Sequence, residues 1–593
     1  MSDVDSAVNT RQATPMKAPR LGILVAGLIG VLSVAAALAI GHLFAGFLGP
    51  ASSPYLAVGN SAIDLTPGQL KEFAVAHFGS NDKPVLLSGM AVVLLVIAIV
   101  AGLLSRRKPW PGLTLAVVLG VLGVIAEQSR GGLSGVAVLS PIVSLLVGVA
   151  AFALLHHLAL ARASVRDRRS ASGVPLGGGV KDTSDNVDTS GTAASTDTTD
   201  HQDTAVDADT DAVGRENGGI TDSGDSSPRT TTVGRRDGTT RRRFITTSAG
   251  VAVGAGIAGV GGQLLADAHT ASASRNAIGK LTPADPAPPI PKGASLSVPG
   301  STPFYTSNQK FYRVDKDLAV PQLNAKDWNL RIHGMVNRER NYSFEDIRSR
   351  DLIERTLTLT CVSNEVGGIY VSTTNFLGIP LRDVLMEAGV HPGADQVLSF
   401  SPDGFSAGTP TSAMLDPERG AMLVIGMDRK PLPVEHGFPA RLIVPGIYGY
   451  NSATKWVTEI ELTTFAAKQA YWVPRGYSVK SPIKTMSRID VPHALQQVPS
   501  GKTTVTGTAW AQPRGIKRVE VRMDNGPWQD AQLATNVNDD CWRMWRQEFD
   551  LKTGTHTVQA RATDNTGHVQ TEKEVSALPN GASGWPSIVF VTT

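Results

Sequence analysis

Four nearly uninterrupted apolar runs open the chain, at about Leu21–Leu48, Pro84–Leu104, Pro111–Ala126 and Gly132–Ala161. A hydrocarbon core takes about 20 apolar residues to cross, so each run is read as a membrane helix, the third being the shortest. Basic residues stand at alternate ends: Arg11, Lys17 and Arg20 before the first run, Arg106, Arg107 and Lys108 after the second, Arg166, Arg168 and Arg169 after the fourth. The connections from run one to two and from three to four lack such clusters. The positive-inside rule therefore puts both ends of this 1–169 bundle in the cytoplasm.

From residue 170 to 239 the pattern dissolves into Asp, Thr, Ser and Gly, including Asp182, Asp185, Asp188, Asp197, Asp200, Asp207, Asp209 and Asp211. So little apolar surface cannot offset the entropy of ordering the chain, and an acidic disordered cytoplasmic linker is expected. Residues 240–268 follow with Thr240, Arg241, Arg242, Arg243, Phe244 and Ile245 ahead of a Gly/Ala-rich apolar run. They resemble a twin-arginine export signal; the plainer reading is a fifth transmembrane helix with inward-facing arginines. Either way the remaining chain lies on the extracytoplasmic side. Cleavage after Ala266, Asp267 and Ala268 is left open. The run Gly254–Gly259 formally matches a dinucleotide fingerprint, but no strand precedes it and it is discarded.

A Pro-rich spacer, 269–302, leads to short alternating elements. Thr356–Thr360 alternates as a strand does, Pro380–Met386 reads as a short helix stopped by Gly389, and Arg441–Val444 is a strand halted by Pro445 and Gly446. Beyond about Val491 the pattern is all β: Thr503–Thr506, Val519–Met523, a turn at Asn525–Gly526, then Thr555–Ala562. Such spacing predicts a β-sandwich. The fold class is thus multidomain: an N-terminal α-helical membrane bundle, an α+β domain over 303–485, and a C-terminal immunoglobulin-like β-sandwich over 490–593.

Composition changes this picture little. The 593 residues are 18% charged and 42% apolar, an average that hides the split between membrane runs, acidic tract and globular remainder. A net charge of +3, without a Lys/Arg stripe interleaved with aromatics, excludes nucleic acid as a partner. The two cysteines, Cys361 and Cys541, make neither a disulfide framework nor a multi-cysteine zinc site.

Cys361 closes the Thr356–Thr360 strand and enters Val362, Ser363, Asn364, Glu365, Val366, Gly367 and Gly368. Type and position leave three readings: buried filler, half of a disulfide with Cys541, or a thiolate ligand. A thiolate suits a soft transition metal, yet no nearby His, Cys or Asp set completes a protein cage. Any metal would have to arrive with ligands of its own. The second cluster joins His436 and Arg441 to a Gly/Pro-rich loop, Pro445–Gly449, and to Ala453, Thr454 and Lys455. Glycines admit backbone amides to an anion and the cations neutralise it, so the cluster reads as an anion site.

These stretches, with Phe311–Arg313, Leu359–Asn364 and Lys455–Trp456, resemble the molybdopterin-binding domain of the sulfite oxidase family, of the membrane-anchored bacterial type. The region with Trp510, Trp528, Trp542, Trp545 and Arg561–Asp564 resembles that family's immunoglobulin-like dimerisation domain. The resemblance implies a molybdenum–molybdopterin cofactor whose single protein thiolate, and metal ligand, is Cys361. It implies cofactor binding by Tyr312, Arg313, Asp403, His436, Arg441, Ala453, Thr454 and Lys455. It also implies oxo transfer to or from a small substrate, a separate electron acceptor or donor, and a homodimer through the C-terminal domain. The expected location is the cell membrane, multi-pass, with the catalytic domain extracytoplasmic.

Two departures bear on substrate. Glu365 and Val366 stand where sulfite-oxidising members carry cationic side chains, and Phe405 where they carry a tyrosine. A carboxylate repels a dianion, so sulfite is not the expected substrate. No haem-binding domain is recognised, and His42 lies in the opposite leaflet from His156 and His157, which argues against a haem shared by them. The competing class is a membrane-tethered, non-catalytic binding protein of the same fold. Cys361, Arg441 and Lys455 together discriminate, since binding alone needs no such trio.

Overall fold

The structure, a computed structural model, describes residues 20–67, 70, 73–74, 78, 81–129, 135–171, 236–268 and 270–593. The acidic tract, and the basic residues Arg11 and Lys17, lie outside the described residues. The chain forms two units, Met1–Leu21 with His157–Thr246, and Gly22–His156 with Thr247–Thr593.

Among the described residues the N-terminal α-helices with defined bounds are α1 (Ile23–Leu48), α2 (Pro54–Leu65), α3 (Asp82–Leu104), α4 (Trp110–Gln128), α5 (Leu139–Ala171) and α6 (Arg236–Ala268). Five of the described helices contain runs long and apolar enough to cross a membrane, the fifth being Arg242–Leu265 within α6. The glycine fingerprint in that run lies inside a continuous helix, not at a strand–helix turn. Apolar runs pack on one another through small residues because lipid offers no hydrophobic drive to associate. The contact of α1 with α3 shows this: a Cβ on Gly30 would sit 1.9 Å from the carbonyl oxygen of Ala98. The helix α2 is an addition to the sequence reading. Pro54 occupies its first turn, and it ends at Thr66 in extended backbone.

The α+β region holds ten strands: β1 (Asn329–Gly334), β2 (Arg340–Ser343), β3 (Ile353–Thr360), β4 (Val371–Pro380), β5 (Gln396–Phe400), β6 (Ser406–Pro410), β7 (Met422–Met427), β8 (Lys430–Pro431), β9 (Arg441–Ile443) and β10 (Glu459–Thr463). They form two sheets, ordered β2-β1-β10-β5-β6 and β3-β4-β7-β8, with β9 pairing β7. The helix Leu381–Ala388 buries Leu381, Val384, Leu385 and Ala388, the i, i+3, i+4, i+7 stripe, and ends on left-handed Gly389 as its pattern predicts. One core unites these elements, from Trp328 and Leu330 through Phe376 to Leu442 and Ile460.

The C-terminal region continues with β11 (Met486–Val491), β12 (Gln497–Val498), β13 (Gly501–Trp510), β14 (Ile516–Met523), β15 (Gln529–Asp530), β16 (Gln532–Leu533), β17 (Arg543–Leu551), β18 (Gly554–Asp564) and β19 (Ser587–Thr592). Its sheets run β11-β13-β17-β16 and β12-β19-β18-β14-β15. Val505, Trp545 and Phe549 of one meet Val519, Val558 and Phe590 of the other, which is sandwich packing. The expected turn is displaced by one residue. Asp524 and Asn525 take positive φ, and Gly526 closes it by donating to Met523 O at 2.8 Å. Paired positive φ angles suit a hairpin because they match the strand twist.

The sandwich also covers the free edge of β3. Thr358 N donates to Asp540 O at 3.0 Å, Gln512 Nε2 to Thr358 O at 3.0 Å, and Asn538 Nδ2 to Thr356 O at 3.1 Å. An uncovered edge would leave these backbone groups without partners. This lateral support runs along the strand that ends at Cys361.

Candidate functional site

Strand β3 delivers Cys361 to the rim of a cavity of about 710 Å³, within the ~300–1,000 Å³ range of small-molecule pockets. Its backbone is pinned on both sides: Cys361 N donates to Tyr370 O at 3.0 Å and Asn364 N to Cys361 O at 3.1 Å. Both cysteines are free thiols, which removes the disulfide reading. Cys541 is buried and donates to Thr356 O at 3.2 Å. Burial pushes the Cys361 thiol above its ordinary pKa, against hydrogen bonds from Ser363 and the positive charge of Lys455. Metal binding there would release the proton. Among the described residues no set of three His, Cys, Asp or Glu groups could hold a metal without outside ligands.

Tyr312, Cys361, Asp403, His436, Arg441, Ala453 and Lys455 all line this cavity. The turn His436–Gly437 brings the cationic cluster together. Gly437 has φ +110, and a Cβ there would lie 3.1 Å from both Arg441 and Lys455, so no side chain fits. Burial depresses His436 to about 3, helped by the neighbouring Arg441 and Lys455 charges, and the imidazole is neutral at physiological pH. Its Nε2 faces Asn308 O at 3.3 Å. Arg441 is buried, donates through Nη1 to His436 O at 3.2 Å, and keeps Nε without a hydrogen-bond partner. Lys455 pairs with Asp315, which falls to about 2 although burial alone would raise it, because Lys455 and Arg313 hold the carboxylate charged.

Two of the expected residues stand aside. Thr454 is fully buried, its hydroxyl 2.7 Å from that of Ser399, and it does not line the cavity. Arg313 also falls outside the lining, its side chain partly exposed and paired with Asp315. Tyr312 is held by its backbone, its N–H donating to Ser372 Oγ at 3.2 Å. Asp403 accepts from Phe405 N at 3.0 Å, and burial raises its pKa. Glu365 lines the cavity with its carboxylate accepting from Ala577 N at 3.3 Å.

Sequence reasoning missed Asp315, Lys316, Trp472 and Arg475, and every lining residue from the membrane region, among them Ile63, Lys83 and Leu86. Asp315 had one usable signal, since it lies two residues beyond Arg313 in a stretch already singled out. The membrane-region residues had none.

The chemistry of the donors fits a molybdenum–pterin group. A soft thiol faces the cavity, and a buried guanidinium retains an unsatisfied donor suited to an oxygen anion. Cys361 would hold the metal, and His436, Arg441 and Lys455 the pterin and its phosphate.

Comparison with known proteins agrees. Residues 317–472 match the oxidoreductase molybdopterin binding domain and 477–582 the Mo-co oxidoreductase dimerisation domain. Mitochondrial sulfite oxidase of Macaca fascicularis is 28% identical over 315 residues, covering 45% of this chain and 57% of that protein. An inducible NADH nitrate reductase of Glycine max is 25% identical over 321 residues, covering 43% and 36%. The sulfane dehydrogenase SoxCD structure from Paracoccus pantotrophus superposes on 50% of this chain and 85% of its own at 22% identity, with a TM-score of 0.43 that adds nothing to the strand order. The chain spans about 57% of the length of the sulfite oxidase it matches. Residues 317–472 and 477–582, preceded by apolar helices, are thus the molybdopterin-binding and dimerisation domains of a sulfite oxidase-like molybdopterin oxidoreductase.

Proposed function

We propose that this protein is a membrane-anchored molybdenum–molybdopterin enzyme that moves an oxygen atom to or from a small substrate on the extracytoplasmic side. The observation that carries this reading is the presence, in one cavity, of the Cys361 thiol and of the Arg441 guanidinium with its unpaired Nε. Bound there, the cofactor supplies two-electron oxo-transfer chemistry. The chain supplies orientation and charge: Arg441 and Lys455 neutralise the anionic part, neutral His436, its Nε2–H directed at Asn308 O, offers Nδ1 as an acceptor, and Tyr312 and Asp403 close the walls. Homodimer formation through the C-terminal sandwich follows from the matched dimerisation domain.

The topology supports the side of the membrane. The connection between α1 and α3 enters α3 at the end away from Arg106, Arg107 and Lys108, and this is the connection that touches the catalytic domain: Leu318 N donates to Asn60 Oδ1 at 2.9 Å. As for substrate, Glu365 lines the cavity, and a carboxylate there disfavours sulfite relative to a neutral or less anionic molecule. Metal and pterin analysis of the purified full chain tests the central reading. One molybdenum per chain is expected, and its loss in Cys361→Ser. Full molybdenum content and turnover in that variant would remove the assignment. Fast, tight sulfite oxidation with an artificial acceptor would remove the substrate reading alone.

A further inference from the structure

The helix α2 lies outside the membrane-spanning runs, yet it reaches the cavity. Its dock is built from specific contacts: Asn60 accepts from Leu318 N at 2.9 Å, and the Leu318 side chain packs so closely on Gly59 that a Cβ there would be 2.6 Å away. Lys83, at the start of α3, donates to Asp317 O at 2.6 Å. At the end of α2, Asp64 accepts from the hydroxyl of Tyr471 and lies 3.8 Å from Arg475 Nη2.

Arg475 is a cavity-lining cation of the catalytic domain. Its guanidinium stacks 3.7 Å over the Tyr471 ring and donates through Nη1 to Tyr471 O at 2.6 Å. Its Nε is buried without a hydrogen-bond partner. Two other lining cations are engaged elsewhere, Lys316 with Asp317 and Lys455 with Asp315. Arg475 takes its carboxylate from the membrane region. Without Asp64, a planar guanidinium with a spare donor would face the cavity, the arrangement that recognises small oxyanions.

We propose that the membrane region helps set substrate specificity: Asp64 of α2 neutralises Arg475 and so weakens the cavity's hold on small oxyanions. Asp64 is a positioning residue, acting through Arg475. The proposal rests on reading the cavity as the substrate site.

The test is calorimetric titration of sodium sulfate, a non-reacting oxyanion, into the full chain in nanodiscs. Both side chains are partly exposed, so Asp64→Asn should tighten sulfate binding by about twofold to fivefold, an effect that fades with added salt. Asp64→Glu should bind as the parent does, and Arg475→Gln in the Asp64→Asn background should erase the gain. In kinetics the gain should appear as a lower KM for sulfite at unchanged kcat. Unaltered sulfate affinity in Asp64→Asn, or a gain that survives Arg475→Gln, overturns the proposal. Should Asp64→Asn not fold, Asp64→Ser decides in its place, since it also removes the charge: the same gain in sulfate affinity is expected, and unaltered affinity overturns the proposal. Molybdenum and pterin content of the same samples is read separately. Loaded protein with unaltered sulfate binding sinks only this proposal, whereas protein without cofactor sinks the functional reading.

Discussion

Two arginines of this molecule are equally buried and opposite in circumstance. Arg488 in the sandwich is 6% exposed and uses its whole fork: Nε to Asp490 at 2.7 Å, Nη1 to Gly368 O and Nη2 to Thr302, both at 3.1 Å. Arg441 in the cavity wall is 5% exposed, makes a 3.2 Å bond to His436 O, and leaves Nε unpaired. The cysteines repeat the contrast, Cys541 bonded within the structure and Cys361 turned to a cavity. So do two histidines. His556 is raised by its hydrogen bonds to Asp524 and Lys552 O, while His436 is driven down by burial beside cations. A buried group that satisfies itself serves the fold. One left unsatisfied at a cavity wall marks where a ligand belongs, because leaving it so costs stability.

The cysteine pair gives the sharpest break. Cys361→Ser should abolish turnover and empty the protein of molybdenum, whereas Cys541→Ser should leave metal content intact by elemental analysis. Equal losses in both would mean that the thiols differ less than their settings suggest. The arginine pair comes next, read by denaturant melts of the full chain. Arg488→Met strands Asp490 and should cost about 3–5 kcal/mol. Arg441→Met should cost the cofactor-free protein far less, while pterin content falls.

A smaller effect concerns pH. The folded pKa of His436 lies near 3 against about 6.5 unfolded, so the unfolded chain takes up the proton first as pH drops. Stability from this group is present above about pH 6.5 and shrinks on acidification, by about 2 kcal/mol at pH 5. The groups facing it are Arg441, Lys455 and Asp315. His436→Gln should flatten that slope in hydrogen exchange of the catalytic domain. His556 has the opposite sign: its raised pKa stabilises at low pH, and the contribution is lost as pH climbs through that value. The smallest change is expected for Glu365→Gln, about threefold in the KM for sulfite, since that carboxylate is partly satisfied by Ala577 N.

Much of this was legible in the chain. Membrane helices and sandwich strands announce themselves by period and length, and His436, Arg441 and Lys455 lie within one glycine-rich stretch, close enough for local pattern to join them. The helix α2 escaped because twelve residues of mixed polarity, with Asn60 and Asp64 among them, carry no strong period. Asp64 and Tyr471 are 407 positions apart, and Glu365 and Ala577 are 212 apart. Such pairings are made by tertiary packing, about which a local pattern is silent. Thr454 shows the converse: nearness in sequence to Lys455 suggested a shared role, but the alternation of side chains along the backbone turns it to Ser399.

The cover over the edge of β3 has a consequence in time rather than space. A ribosome makes the chain from the N-terminus, and domains tend to fold as they emerge. Thr356 leaves early, but Asn538, which bonds its carbonyl, is synthesised 182 residues later. Until then the strand bearing Cys361 has one raw side, open to any extended segment of a neighbouring nascent chain. Completion of the ligand strand therefore comes late, and a message truncated within the sandwich would yield a catalytic half whose β3 edge is left uncovered.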